Sequence, residues 1–279
     1  MIPEWLCVSI AFIYGTVVGS FLNVCIWRLP KGESIINPGS HCPRCDALLG
    51  VRDLVPLLSF LAQRCKCRYC GAPISWRYFS VELLTGAYFG LLYLWFGWSV
   101  DFVAYALFGA SLIAIFFIDL EHWIIPDELS VAGIVIGLTR DGIGLAAGSR
   151  ELCWLPIPGL GRGIPIPQSV VGVLACGGVF FAIAVISYYV FKKEGMGGGD
   201  IKLAAAIGAN LVLGQAMLSF FLAVTLGSVI GIALIVAKMK TRKDYVPFGP
   251  MMVAGAMVVI FYGEEILQIW RDYVGLTAG

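Results

Sequence analysis

Two carboxylates lie at the edges of long apolar runs, where charged side chains are rare. Asp119 directly follows the apolar run "LIAIFFI", and Asp200 directly follows the glycines Gly197, Gly198 and Gly199. An ionised side chain at membrane depth costs about 2–3 kcal/mol even on the lenient insertion scale. Their placement therefore indicates a functional role for both carboxylates.

Two carboxylates brought together could hydrolyse a peptide bond by acid–base catalysis. Like charge favours a state in which one acid keeps its proton while its partner is ionised. The ionised group would activate a water, and the protonated group would polarise the carbonyl and later protonate the leaving amine. A nucleophile paired with a histidine has little support, because His41 and His122 are the only two histidines.

The glycines before Asp200 predict a turn that another backbone could approach closely. Gly195 and the run 197–199 lack a Cβ atom, so they permit positive φ angles and hydrogen bonds to a peptide backbone. The alternative is a flexible loop followed by Asp200 as a helix cap. A phosphate-binding loop is disfavoured, because no Gly-Lys-Ser/Thr sequence follows.

Four cysteines have the spacing of a structural zinc site. The motifs "CPRC" and "CRYC" are separated by 21 residues, and each C-x2-C turn brings two thiolates to one tetrahedral ion. The four residues are Cys42, Cys45, Cys67 and Cys70. Disulfides or free thiols are the alternatives, and the reducing compartment inferred below disfavours disulfides. Cys65 is then a spare thiol and His41 a bystander, so the predicted site is closed and not catalytic.

The composition is that of a polytopic membrane protein. Of 279 residues, 59% are hydrophobic and 13% are charged, whereas soluble domains average about 25% charged residues. The apolar runs have about the 20 residues needed to cross ~30 Å of hydrocarbon. We predict an all-α fold with about eight transmembrane helices, the sixth of which is short for a full crossing. The segments are 4–27, 79–98, 102–119, 128–147, 168–191, 200–212, 215–237 and 247–270.

The basic residues predict which side of the membrane each loop occupies. Fifteen of the nineteen lysines and arginines fall in 28–78, around the glycine turn or in the loop 238–246, which assigns these parts to the cytoplasmic face. An even number of crossings then places both termini outside. We expect the first segment to be retained, because it has no basic leading region and no small-residue cleavage site. The Gly- and Pro-rich loop 148–167 is predicted to be irregular and outside.

The motifs resemble, in order, those of the type IV prepilin peptidases, bifunctional leader peptidase/N-methyltransferases of the GxGD aspartyl protease group. The matching stretches are "GSFLNVCIWRLP", "SHCPRC", "VPLLSFL", "CRYC", "PISWRYFSVELLTG", "IDLEHWIIPDELS", "GMGGGDIKLAAAIGA" and "VPFGP". They cover most of the chain, and the ordered set is far more specific than the G-x-G-D signature alone. The departures are the extra Cys65 and the long loop 148–167.

The resemblance implies a two-aspartate peptidase that also transfers a methyl group. Asp119 and Asp200 would be the catalytic pair, with Gly197, Gly198 and Gly199 against the substrate backbone. The implied substrates are type IV prepilins or pseudopilins, whose short basic leader is cut at the cytoplasmic face of the bacterial inner membrane. The new N-terminus would then be N-methylated with S-adenosylmethionine. Asp127 matches the family's "PD" and is interpreted as a cap of the fourth helix.

The resemblance also implies how the chain is divided. The parts are a first transmembrane helix (1–27), a cytoplasmic zinc-binding domain associated with methyl transfer (28–78) and a membrane-embedded aspartyl peptidase domain (79–279). Structural Zn²⁺ and S-adenosylmethionine are the expected cofactors, and we expect prepilins and the lipid bilayer as partners, with no nucleic acid. Asn23, Arg28 and Glu82 are candidates for the methyl-donor site, although structural roles fit them equally well.

A proton-coupled membrane transporter is the main alternative function. Its features would be intramembrane acids and a glycine-broken helix near the midplane. Here the acids lie at one edge beside basic loops, which favours the peptidase. A zinc-bearing scaffold without chemistry leaves the placement of Asp119 and Asp200 unexplained.

Overall fold

The fold is helical almost throughout. The computed structural model describes residues 3–155, 163–192, 196–239 and 246–275. The helices of this part of the chain are α1 (Glu4–Arg28), α2 (Leu58–Ala62), α3 (Trp76–Phe96), α4 (Val100–His122), α5 (Asp127–Ala146), α6 (Gln168–Phe191), α7 (Gly198–Asn210), α8 (Leu213–Val236) and α9 (Gly249–Val274).

Seven of the described helices are long and apolar enough to cross a membrane, which confirms the predicted all-α polytopic class. The remaining apolar segment is α7, whose 13 residues rise only about 20 Å. It is the sixth segment, and it is short as the sequence indicates. Both termini were predicted to lie on one side of the membrane because α7 was counted as a full crossing. That placement of the termini stays a prediction.

The chain divides into two compact units, Met1–Ile118 and Asp119–Gly279. In the first unit, α1 packs closely along α3 through small residues. A Cβ atom on Gly19 would lie 2.8 Å from Glu82 Cα, and one on Gly15 would lie 2.8 Å from Gly86 Cα. These glycines therefore set a backbone separation that side chains would widen.

In the second unit, α7 lies between α5 and α6. Gly172 of α6 and Gly208 of α7 meet backbone to backbone, with no room for a side chain on either. The Arg140 guanidinium of α5 donates to the carbonyl of Asn210 (2.8 Å), and the Asn210 side-chain amide donates to the carbonyl of Gly133 (2.8 Å). The last turn of α7 is thus fixed among buried polar partners.

The loop 148–167 contains a short hairpin, although its Gly- and Pro-rich sequence predicted irregular structure. Strand β1 (Cys153–Leu155) pairs antiparallel with β2 (Ile164–Ile166), and Trp154 lies opposite Pro165. In a ribbon of two strands both strands are edges, where proline is tolerated. Residues 156–162 of this loop lie outside the described part of the chain.

Candidate active site

Asp119 lies in the last turn of α4 and is buried, with 6% of its surface exposed. The helix ends soon after it, because Trp123 has a left-handed φ of 60° while its N–H still bonds to the Asp119 carbonyl (3.0 Å). The carboxylate accepts a hydrogen bond from the backbone of Gly249, the first residue of α9. A Cβ atom on Gly249 would lie 2.5 Å from Asp119 Oδ2, so only glycine leaves the carboxylate its space.

Asp200 is the third residue of α7, in the turn where the helix dipole favours negative charge. Its backbone N–H donates to the carbonyl of Gly197 (3.1 Å), and the N–H of Gly197 donates to Asp200 Oδ2 (3.3 Å). The helix cap is therefore Gly197, and Asp200 binds back to it from inside the helix. Burial raises the pKa of Asp200 above its usual range.

The structure brings the two predicted aspartates together around Ile125. A Cβ atom on Gly199 would lie 2.8 Å from Ile125 Cβ, and one on Gly249 would lie 3.2 Å from Ile125 Cδ1. The first turns of α7 and α9 thus press against one side chain. The carboxylates of Asp119 and Asp200 are close enough to interact electrostatically.

Ile125 and Gly249 are site residues that were not predicted individually from the sequence. Both lie in quoted motifs, "WIIPD" and "VPFGP", and these motifs were the available signal. Ile125 contacts Gly199 and Gly249, and Gly249 contacts the Asp119 carboxylate. These contacts join residues more than 70 positions apart, so spacing along the chain does not reveal them.

The glycine run acts by its small size, and the expected positive φ angles are not found at 197–199. Gly197 has φ −71°, and the described glycines with positive φ lie elsewhere in the chain. Gly199 needs the absence of a Cβ atom because Ile125 occupies that space, whereas no described residue comes within 4 Å of a Cβ position on Gly198. Room for an approaching backbone therefore exists at Gly198. Gly195 lies outside the described residues.

Asp127 does not cap its helix as predicted. It is the first residue of α5, the cap position is Pro126, and no side-chain cap hydrogen bond is present. The Asp127 carboxylate instead accepts from Lys202 Nζ of α7 at 2.6 Å. Both side chains are substantially exposed, so this ion pair stabilises weakly while it aligns the first turns of α5 and α7.

A buried carboxylate outside the pair, Asp141, shows how a structural acid differs. Its Oδ2 accepts from both the N–H (2.9 Å) and the hydroxyl (2.7 Å) of Ser169, and Arg150 lies 3.5 Å from its Oδ1. These partners satisfy the charge and join α5 to the start of α6.

The four cysteines of the two C-x2-C motifs form one cluster suited to a metal ion. The sulfurs of Cys42, Cys45, Cys67 and Cys70 all lie within 4.8 Å of one another, and the Cys42 and Cys70 sulfurs are 3.9 Å apart. A tetrahedral zinc ion with Zn–S bonds of about 2.3 Å would hold sulfurs about 3.8 Å apart. Hydrogen bonding from the backbone of Arg44 lowers the pKa of Cys42 to about 7. The donor set fits structural Zn²⁺.

The two cysteine motifs are copies of one ten-residue turn. The N–H of Cys42 bonds to the carbonyl of Ala47 (3.0 Å), and that of Cys67 bonds to the carbonyl of Ala72 (2.7 Å). Asp46 and Gly71 occupy the same left-handed position, with φ 53° and 69°. In the sequence this repeat is visible as the similarity of "CPRCDA" to "CRYCGA". The repeated turn was not predicted, because the prediction used the spacing of the cysteines alone.

Cys65 lies outside the sulfur cluster, in agreement with its prediction as a spare thiol. Its carbonyl accepts from the N–H of Ile74 (2.8 Å), as the carbonyl of Ser40 accepts from the N–H of Leu49 (2.8 Å) in the other turn. Cys65 therefore takes the place of Ser40 in the repeat, where the backbone alone is used.

The three candidates for the methyl-donor site have structural partners. The Asn23 amide donates to the carbonyl of Tyr78 (3.1 Å), and Arg28 donates to two carbonyls of the loop that follows α1. Glu82 Oε2 accepts from the N–H of Leu57 (2.8 Å). The Asn23 bond joins α1 to α3, while those of Arg28 and Glu82 attach the segment between these helices to α1 and α3. None of these bonds assigns a methyl-donor site.

Comparison with known proteins gives consistent matches along the chain. Residues 13–96 match the profile of the bacterial peptidase A24 N-terminal domain, and residues 106–232 match that of the type IV leader peptidase family. The chain is 38% identical over 228 residues to a prepilin leader peptidase/N-methyltransferase of Myxococcus xanthus, covering 81% of this chain and 62% of that protein. It is 33% identical over 265 residues to the Bacillus subtilis protein of that name, covering 94% of this chain and 97% of the relative.

A search of solved structures finds no match. The N-terminal profile includes the four clustered cysteines, the leader peptidase profile includes both aspartates, and the Bacillus subtilis relative matches almost the whole chain. The chain therefore belongs to the type IV leader peptidase family.

Proposed function

We propose that this protein cleaves the short basic leader from type IV prepilins or pseudopilins with Asp119 and Asp200, and then N-methylates the new N-terminus. The observation that carries the proposal is the convergence of buried Asp119 and half-buried Asp200 at the first turns of α7 and α9, around Ile125. The relatives' printed name, prepilin leader peptidase/N-methyltransferase, supplies the substrate class.

In the proposed reaction, one carboxylate is ionised and takes a proton from a water molecule. The water oxygen adds to the scissile carbonyl carbon while the other carboxyl donates its proton to the carbonyl oxygen. Collapse of the tetrahedral intermediate breaks the C–N bond, and the carboxyl that took the water's proton delivers it to the leaving amine. One hydroxyl of the intermediate returns its proton to the other carboxylate as the C=O bond re-forms, which restores the pair. Two neighbouring acids that share one proton are suited to both tasks.

The open side of Gly198 is the proposed place for the substrate backbone. Among the described residues, no atom lies within 4 Å of a Cβ position there, and Asp200 follows two residues later. A prepilin consists of a basic leader followed by an apolar helix, so the helix would stay in the hydrocarbon while the leader stays in water. Cleavage at the cytoplasmic face of the inner membrane follows from the basic loops on that side.

Methyl transfer is proposed for the cysteine-bearing segment, 28–78, and peptide cleavage for 79–279. The four cysteines would hold Zn²⁺ in a closed structural site. All four coordination positions of the ion would be filled by sulfur, so none would be open for a substrate or a water. S-adenosylmethionine supplies an electrophilic methyl group to the new amine when it is bound. The ties of Arg28 and Glu82 to the segment's backbone hold it at the ends of α1 and α3.

The test is cleavage of a prepilin in lipid nanodiscs by wild type, Asp119→Asn and Asp200→Asn. We expect both variants to lose leader cleavage by at least about 10³-fold, because each lacks one half of the acid–base pair. Asp127→Asn is the matched control and should cut at nearly the wild-type rate, since an exposed ion pair contributes at most about 1 kcal/mol. Mass spectrometry reads both leader loss and the added methyl group.

Zinc content and elution volume verify folding of each variant. If Asp119→Asn or Asp200→Asn cuts at a normal rate, the two-aspartate mechanism is wrong. If wild type and Asp127→Asn cut but add no methyl group, the second activity is wrong while the first stands.

A further inference from the structure

One uncharged stretch interrupts the polar segment between α1 and α3, and its apolar side chains are left uncovered. Residues 54–62 read "LVPLLSFLA", with no charged residue among them. Leu58 and Leu61 are 66% and 55% exposed, and Leu54 and Val55 are exposed as well. Apolar groups that cluster on a surface indicate a partner such as another protein or a membrane.

The stretch is held alongside the body of α3. Leu57 has φ 61° and ψ −49°, and the N–H of Leu58 bonds to the carbonyl of Pro56 at 2.6 Å. This is a γ-turn of the rare, strained type. The N–H of Leu57 donates to Glu82 Oε2 at 2.8 Å, and the carboxylate is buried in α3. Because Glu82 lies six residues past the start of α3, the turn lies about 9 Å along that helix.

The helix that follows the turn, α2, faces α3 on one side only. The buried ring of Phe60 packs on Trp76 and Phe79, with centroids 5.2 and 5.5 Å apart. Leu58 and Leu61 are three residues apart, so they share the opposite face. Since α3 is one of the helices able to cross a membrane, a short helix packed on its first turns lies at the depth of the bilayer interface.

Aromatic and basic side chains at the same end of α1 and α3 also fit an interface. Trp76 is exposed at the start of α3, and Lys31 Nζ lies 3.4 Å from the ring centroid of Trp27 at the end of α1. Tryptophan and lysine at helix ends are typical of the headgroup level. The uncharged stretch is flanked by exposed cations at Arg52 and Arg64.

The acid nearest to the stretch does not oppose an anionic surface. The side chain of Asp53 is 3% exposed and accepts hydrogen bonds from Gly50, Gln63, Arg68 and Tyr69. Its charge is thereby compensated within the segment. The exposed charges beside the stretch are therefore positive, as anionic phospholipid headgroups require.

We propose that residues 54–62 are a membrane-docking surface, with α2 lying in the bilayer interface and Leu58 and Leu61 among the acyl chains. The Glu82 carboxylate holds the stretch at this depth through the Leu57 turn. The partner is the lipid surface itself, and the flanking arginines bind anionic headgroups. This inference does not depend on the proposed reactions.

Spin labels on the full-length protein test the proposal directly. Leu58→Cys and Leu61→Cys are labelled in a Cys65→Ser, Cys153→Ser background and placed in nanodiscs of phosphatidylethanolamine and phosphatidylglycerol. Glu33→Cys, on an exposed charged residue of the same segment, is the matched control. We expect faster relaxation by oxygen than by a water-soluble nickel chelate at 58 and 61, and the reverse order at 33.

The remaining outcomes separate lipid from other partners. Faster relaxation by nickel at both leucine sites would place them in water and overturn the proposal. Poor access to both reagents would mean that protein covers the stretch, which also overturns it. When Glu82→Ala is added to the protein labelled at position 58, relaxation by nickel should increase relative to relaxation by oxygen. Glu82→Gln should leave this ratio unchanged, because glutamine can still accept the Leu57 N–H. Zinc content checks that each variant keeps its fold.

Discussion

Replacement of Gly249 by alanine tests whether the backbone at the start of α9 positions the Asp119 carboxylate. The new Cβ atom would lie 2.5 Å from Oδ2 and 3.1 Å from Cγ of Asp119, whereas ordinary contacts begin at 3.4 Å. The carboxylate oxygen therefore has to retreat by about 0.9 Å, the difference between 3.4 and 2.5 Å. Ile125 Cδ1, at 3.2 Å, limits relief on the other side.

A displacement of about 1 Å at a reacting group costs on the order of 10²-fold in rate, which corresponds to about 2.7 kcal/mol of activation free energy. We expect Gly249→Ala to lower kcat for leader cleavage by this factor and to leave KM nearly unchanged, because the substrate contacts other residues. Steady-state cleavage of a purified prepilin in nanodiscs gives both constants.

Gly231→Ala is the matched control, since Gly231 lies within α8 and has nothing within 4 Å of its Cβ position. It should cut at the wild-type rate. If Gly249→Ala keeps more than about a third of the wild-type kcat, the contact between α9 and the Asp119 carboxylate does not set the catalytic geometry, and the reasoning from displacement is refuted.

Two further predictions concern the cysteine-bearing segment. Asp46→Gly should stabilise the zinc-bound segment by about 0.5–1 kcal/mol, because φ is 53° at a position where the other turn already has glycine. Gly71→Ala should destabilise the segment by about 1 kcal/mol. The rate at which a chelator removes zinc under mild denaturant measures both effects. Equal rates for wild type and the two variants would contradict these predictions. Cys67→Ser should lose zinc and methyl transfer but keep leader cleavage, because the metal joins two turns that lie apart from the aspartates in sequence. Mass spectrometry of one product pool reads both activities, and loss of cleavage in a protein that still elutes as folded would show that the metal also supports the peptidase.

Helix positions could be predicted from the sequence because lipid imposes a simple rule. Long apolar runs bounded by charge or by Gly and Pro have to be helical at membrane depth, so α1 and α9 begin and end within a few residues of the predicted segments. The same rule says nothing about polar turns. The two cysteine turns and the 153–166 hairpin depend on hydrogen bonds between residues of weak sequence preference.

The sequence indicated which carboxylates to consider for the candidate site, but not how the residues around them pack. Asp119 and Asp200 were identifiable because carboxylates beside apolar runs are costly. At Gly199 the lack of a Cβ atom accommodates Ile125 and φ is not positive, so the contact with Ile125 could not be predicted from the glycine run, while approach by a substrate backbone stays a prediction. Asp127 was taken for a cap because Pro-Asp commonly begins a helix, but Lys202, 75 positions away, is its partner.

The shortness of α7 has a consequence for the permeability of the membrane. Its first turns are level with the start of α5, through Lys202 and Asp127, while its last residue bonds to Arg140 inside α5. Between these ends, Leu203 to Asn210 are all buried. Water that reaches Asp200 from one side therefore meets eight consecutive buried residues of α7. A hydrolase that consumes water within an energised membrane needs such a barrier, because a continuous file of water past the aspartates would conduct protons and discharge the gradient.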